Sequence, residues 1–165
     1  EFVADGQTVP VNVHSDAAGG AADGRNVVGI VATLVYNEDE TAGGPGCAAP
    51  GAADAEPDTI SGLLQRDALS QSAEGQNAEG STASHDVAID WFDRALYDAG
   101  SAENISEVDL RAALDGGDVG FVPSSLDLSV TVATGGGALC NHQDDGETVQ
   151  WSISLVVLDY TLTEV

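Results

Sequence analysis

Residues 27–36 read Val27-Val28-Gly29-Ile30-Val31-Ala32-Thr33-Leu34-Val35-Tyr36, and this stretch decides the fold class. Val28, Ile30, Ala32, Leu34 and Tyr36 recur with the period of two that defines a β-strand. Val27, Val31 and Val35 occupy the opposite phase. A strand that is apolar on both faces belongs at the centre of a sheet, covered from both sides.

Working outward, the C-terminal third repeats the pattern. Leu126, Leu128, Val130 and Val132 alternate with Asp127, Ser129 and Thr131, as in a half-exposed strand. Val149, Trp151, Ile153, Leu155 and Val157 then share one face. Val156, Leu158, Tyr160 and Leu162 carry the other, which implies a bulge or a doubly covered strand. This last strand is expected to pair antiparallel with residues 27–36. On the N-terminal side, Val9, Val11 and Val13 line one face of a short strand. Pro10 within it removes a ladder donor, so the strand sits at an edge or is lent to another molecule.

Between these strands the pattern turns helical. Asp58 followed by Ile60, Leu63 and Leu64 predicts a short helix over residues 59–69, with Asp58 as N-cap. A second helix is expected from Asp86 to Ala99, with Val87, Trp91, Phe92 and Leu96 on one side and Gly100 ending it. A third begins at Ser106 and runs from Glu107 to Leu114, with Asp109 in the capping-box position and Ile105 and Leu110 as a hydrophobic staple. Residues 37–58 and 70–84 read as loops rich in Gly, Ala and acids. The expected fold is therefore mainly β: a β-sandwich of antiparallel strands with two or three short inserted α-helices. Residues 1–165 form one β-rich domain, with residues 1–16 as an N-terminal edge or exchanged strand.

Charge bounds the setting. The chain carries 28 Asp and Glu against 4 basic residues, for a net charge of -24, and every base is an arginine. At low ionic strength such a surface repels itself. In about 1 M salt the Debye length falls to about 3 Å and most of the repulsion is gone. An acid-rich chain without a core would be disordered, but 42% of these residues are hydrophobic and they alternate cleanly. The composition is that of halophilic proteins, with solvent cations at high salt as counter-charge. Nucleic acid is excluded as a partner for want of clustered bases. No run approaches the ~20 apolar residues of a membrane span. The start at Glu1 and the lack of Met are read as a processed mature chain or an excised domain.

Cys47 and Cys140 both lie in Gly-rich stretches, and an even count favours a disulfide and an oxidising, extracellular compartment. Chemistry is harder to find. Three histidines, His14, His85 and His142, are present, but no Gly-x-Ser-x-Gly elbow, phosphate loop or dinucleotide fingerprint accompanies them. Asp144, Asp145 and Glu147 are weak candidates for a calcium site. They lack calcium-loop spacing, and Asp145-Gly146 reads more simply as a hairpin turn. Asp90 and Asp93, flanking Trp91-Phe92, are the nearest candidates for paired catalytic carboxylates, and ordinary amphipathicity explains them. Asn104-Ile105-Ser106 matches the glycosylation acceptor pattern. No catalytic residue, cofactor or metal site is assigned.

The expectation is a non-enzymatic structural subunit of an extracellular assembly, a cell-surface filament or a virion, from an extreme halophile. Its partners would be further copies or other subunits, engaged through strand addition by Val9, Val11 and Val13. A monomeric extracellular binding module is the alternative, using its end loops. A small secreted hydrolase ranks last.

Overall fold

The computed structural model describes residues 1–13, 25–37, 41–43, 57–76, 82–116, 124–131, 141–143 and 145–163. In chain order its elements are β1 (Phe2–Ala4), β2 (Thr8–Val13), β3 (Val27–Asn37), β4 (Thr41–Gly43), β5 (Thr59–Arg66) and β6 (Leu69–Gln76). Then come β7 (Thr82–Asp90), α1 (Arg94–Ala99), α2 (Glu107–Leu114), β8 (Ser124–Thr131), β9 (Asn141–Gln143), β10 (Gly146–Thr148) and β11 (Gln150–Val157). Every pairing among the described residues is antiparallel. The strands form a sheet in the order β11-β3-β7, a second in the order β2-β8-β5-β6, and the two short ladders β1-β10 and β4-β9.

The stretch at 27–36 is the central strand of its sheet, as its two apolar faces require. The strand predicted to pair with it does so: Trp151 lies opposite Leu34, Ile153 opposite Ala32 and Leu155 opposite Ile30. Ile30, Ala32, Leu34 and Tyr36 point into a core shared with Ile60, Leu64, Val87, Ile89, Leu126 and Leu128 from strands of both sheets. The sandwich is built on that layer.

One detail of β3 departs from strict alternation. Gly29 pairs with Val156 and Val27 with Val157, so Val28 is an extra residue and the register shifts there. The bulge reverses the phase of the strand. Val27 joins the main core, whereas Val28 turns to the opposite face and packs with Leu114 and Leu158. Val28 was expected to share a face with Ile30, and the bulge corrects this. Phe92, Leu110, Val156, Tyr160 and Leu162 complete the second cluster, so the helices cover only this end of the sheet.

Two helical expectations are overturned. Residues 59–66 form β5, because its inner face is Ile60, Gly62 and Leu64, and the central glycine contributes no apolar signal. Ile60 and Leu64 alone look like helical spacing. Gly62 is small for a reason: a Cβ there would stand 2.8 Å from both Leu34 Cδ1 and Val87 Cγ2. Asp58 is a buried residue preceding a strand rather than an N-cap. The expected loop at 70–84 contains β6, joined to β5 by the turn Asp67-Ala68 with Asp67 at φ 51°, and the start of β7. Finally, the helix expected at 86–99 is strand as far as Asp90. Val87 and Ile89 alternate onto the core opposite Ala32 and Ile30.

Gly100 as the end of α1 and Ser106 as the start of α2 were foreseen, whereas the start of α1 at Asp93 was not. The Asp93 carboxylate accepts from Leu96 N at 2.9 Å, and α1 stops at Gly100, which adopts φ 65°. The Ser106 hydroxyl accepts from Asp109 N at 3.1 Å at the start of α2. At the other end of α2, the Asn26 side chain donates to Leu114 O at 3.0 Å and accepts from Gly116 N at 2.7 Å. It thereby ties the helix terminus to the entry of β3 and satisfies a carbonyl that lacks an intrahelical partner.

Candidate functional site

The two sides of the sandwich differ. On one side β7 and β6 approach each other, and a side-chain pair on the neighbouring strands β3 and β7 packs against Gly75 of the other sheet. Tyr36 Oη and His85 Nδ1 lie 3.1 Å apart, with their rings edge to face at 5.6 Å. Gly75 on β6 leaves the room they fill, since a Cβ there would collide with both. Burial lowers the His85 pKa, only partly offset by the Ala73 backbone and the Asp86 carboxylate. Burial also raises the pKa of Tyr36. The His85 Nε2 is enclosed and makes no hydrogen bond.

The opposite side is formed by the edge strands β2 and β11. Burial falls off toward both edges. On β8, Leu126 and Leu128 are fully buried, but their partners on β2, Val11 and Val9, are only half-buried. On β3, Leu34, Ala32 and Ile30 are buried, whereas on β11 Ile153 and Leu155 are half-buried and Trp151 is 37% exposed. Among the described residues the sandwich is thus incompletely closed along this side. Its end next to Gln150 is covered by the β1-β10 ladder, where Val3 and Val149 are buried and Glu1 exchanges backbone hydrogen bonds with Val149 at 2.9 and 2.8 Å. Phe2 on β1 is 54% exposed. Neither β2 (TVPVNV) nor β11 (QWSISLVV) contains a charged residue, although the chain as a whole carries -24.

The predicted assembly strand is therefore found as an edge strand paired within its own chain. Thr8 to Val13 run in register with Ser129 to Ser124, and Val13 is buried. Pro10 opposes Asp127 and costs nothing if its missing donor lies on the open side.

The remaining expectations distribute as follows. Cys47, Cys140, His14 and Asp144 lie outside the described residues, and His142 lies on β9 opposite Ala42. Asp145 is exposed, and its backbone oxygen accepts from Asp5 N at 3.0 Å. Glu147 is buried opposite Val3, with Oε1 accepting from Thr148 N at 2.8 Å. Among the described residues no three His, Cys, Asp or Glu gather closely enough to hold a metal ion. The hairpin expected at Asp145-Gly146 does not form: β9 pairs with β4 and β10 with β1, so the flanking strands have different partners. Asp90 binds Arg94 and Asp93 caps α1, which gives both carboxylates structural work. Asn104 is exposed in the turn between the helices at φ 61°, two residues before the capping Ser106.

Two features were not read from the sequence. The Arg66 guanidinium lies 3.7 Å over the Trp91 ring, and the Trp91 indole donates to Val27 O at 3.0 Å. Arg66 and Trp91 lie on different strand ends, so their meeting has no local signal. The second is an open groove of about 650 Å³ lined by Ser101, Ala102, Glu103, Ile105, Leu110 and Leu162. Val108 and Tyr97, elsewhere on the two helices, are 76% and 43% exposed. No family model matches the chain, and no curated protein or solved structure is similar to it at a significant level.

Proposed function

We propose that the chain is a non-enzymatic structural subunit of an extracellular assembly, a surface filament or a virion, that operates in concentrated salt. The observation that carries this reading is the open, uncharged side bounded by β2 and β11 on a chain of net charge -24. Proteins normally blunt exposed strand edges with charge. Here acids are plentiful, yet both edges of this side are left without them. Concentrated salt is the setting in which copies so strongly charged can approach one another. A Cys47–Cys140 disulfide belongs to the same proposal. The β4-β9 register sets Gly43 opposite Asn141, Cys140 directly precedes Asn141, and Cys47 follows Gly43 by four residues.

The test is the mass in solution at about 3 M salt, where repulsion is screened, as a function of protein concentration. Growth beyond a single chain is expected, and a single-chain mass throughout would sink the proposal. Chains bearing Thr8→Cys mixed with chains bearing Ser129→Cys then report strand exchange, because those positions are paired in the fold. Cross-links between the two populations form only if β2 is lent from copy to copy.

A second reading, a monomeric extracellular binding module, is favoured by the groove beside α2, lined by Ile105, Leu110 and Leu162. It predicts a single-chain mass at high salt.

A further inference from the structure

We infer that the outer edge of β11 is the contact through which two copies of this chain pair, antiparallel about a two-fold axis. Each three-stranded sheet would thereby extend into one continuous sheet, with β11 against the partner's β11. This pairing rests on the assembly reading above and supplies its contact.

The choice of a second copy as occupant follows from charge. Two bodies each carrying -24 repel wherever acids face acids. A two-fold contact sets a surface against itself, so it must use a patch that has no net charge of its own. Gln150 to Val157 provide eight consecutive uncharged residues in one extended strand. Of the described acids nearest in sequence, Glu147 is buried and Asp159, though exposed, has its charge paired with Arg25 at 3.0 Å. A basic or acidic partner would find no ion pair to make there, whereas a copy of the same strand meets only main-chain groups and Gln, Ser, Ile, Leu, Val and Trp side chains. The ladder to β3 engages one row of β11 backbone groups, and no described element pairs with its other row. Pairing would satisfy that row and would also shelter the core-facing residues Trp151, Ile153 and Leu155, which the single chain leaves partly in water.

β11 is a better candidate than the other sheet edges. β2 is interrupted by Pro10, which lacks a donor. β7 contains His85, Asp86 and Asp90, and β6 contains Glu74.

The test compares three full-length proteins by light scattering across a concentration series at about 3 M salt. They are the unaltered chain, Ser152→Asp/Ser154→Asp on β11, and Ser70→Asp/Ser72→Asp on β6. All four serines are exposed and alternate with the inward-facing positions, so both double variants should fold, which circular dichroism checks. The added charge is the same, but only on β11 would paired copies bring carboxylates together and strip them of water, a cost that salt does not remove. The unaltered chain and the β6 variant are expected to associate alike, with the β11 variant at least tenfold weaker. Association of the β11 variant equal to that of the unaltered chain overturns the pairing, as does an unaltered chain that never leaves the single-chain mass. A larger assembly that persists in the β11 variant overturns the pairing while leaving the assembly reading intact. A two-chain species that never grows, and that the β11 charges dissolve, supports the pairing and overturns the filament or virion.

Discussion

At Gly62, the absence of a side chain lets β5 lie directly beneath Leu34 and Val87. Gly62→Val should cost about 1–3 kcal/mol through overpacking, read as a lower denaturation midpoint with little change in the slope. An unchanged midpoint would mean that the sheets yield at this point. His85 makes a second residue-scale prediction. Burial holds its pKa in the folded protein below the usual 6.5, so between the folded and unfolded values the unfolded chain binds more protons. Stability from this site is therefore complete above about pH 6.5 and is lost as the pH falls toward the folded value. Unfolding curves from pH 8 to 5 should show the unaltered protein losing more stability than His85→Gln. Equal losses would remove His85 as the cause. None of this was legible in the residues themselves. Gly62 reads as a gap in a hydrophobic pattern and His85 as one histidine of three, because each takes its meaning from neighbours on other strands.

At the scale of elements, the helix caps were legible because capping is local. Ser106 reaches Asp109 N three residues away, and Gly100 supplies the left-handed residue that ends α1. Ser106→Ala should destabilise the protein by about 1 kcal/mol, measurable by chemical denaturation, and less if α2 frays independently of the sheets. The strand misread as a helix shows the converse. Ile60 and Leu64 fit both periods, and only the ladder to β8, with Ile60 opposite Val130 and Leu64 opposite Leu126, decides between them. β6 is less legible still. Its only half-buried positions are Ala73 and Gly75, so it meets the core from an edge without any large apolar residue. A strand held by one neighbour and by a close approach to the other sheet carries almost no hydrophobic period of its own.

At the scale of the whole molecule, charge dominates. Raising salt from about 0.1 M to about 1 M shortens the Debye length from about 10 Å to about 3 Å. The thermal midpoint should rise steeply over that range and continue upward with salt that is excluded from the surface. A midpoint that is flat or falls with salt would contradict a surface adapted to concentrated salt. The proposed disulfide belongs to this scale because it would close most of the chain into a loop. Reduction should cost about 4 kcal/mol by the loop-entropy argument, and thiol titration of the unfolded, unreduced chain should find no free cysteine. Two free thiols would refute the bridge.

What the sequence determined by itself was whatever rests on composition or on neighbours within a few residues. That covers the acid excess, the mainly β character, the central place of residues 27–36 and its pairing with the last strand, the Gly100 end of α1 and the Ser106 start of α2. Two-sided apolar alternation has few other solutions, and caps act across a single turn. The tertiary structure alone decided the strands β5 and β6, the phase reversal at Val28, the Tyr36–His85 pair and the open side between β2 and β11. Each of these depends on which distant strand lies opposite, and burial there is fixed by the packing of two sheets rather than by any periodicity along one of them.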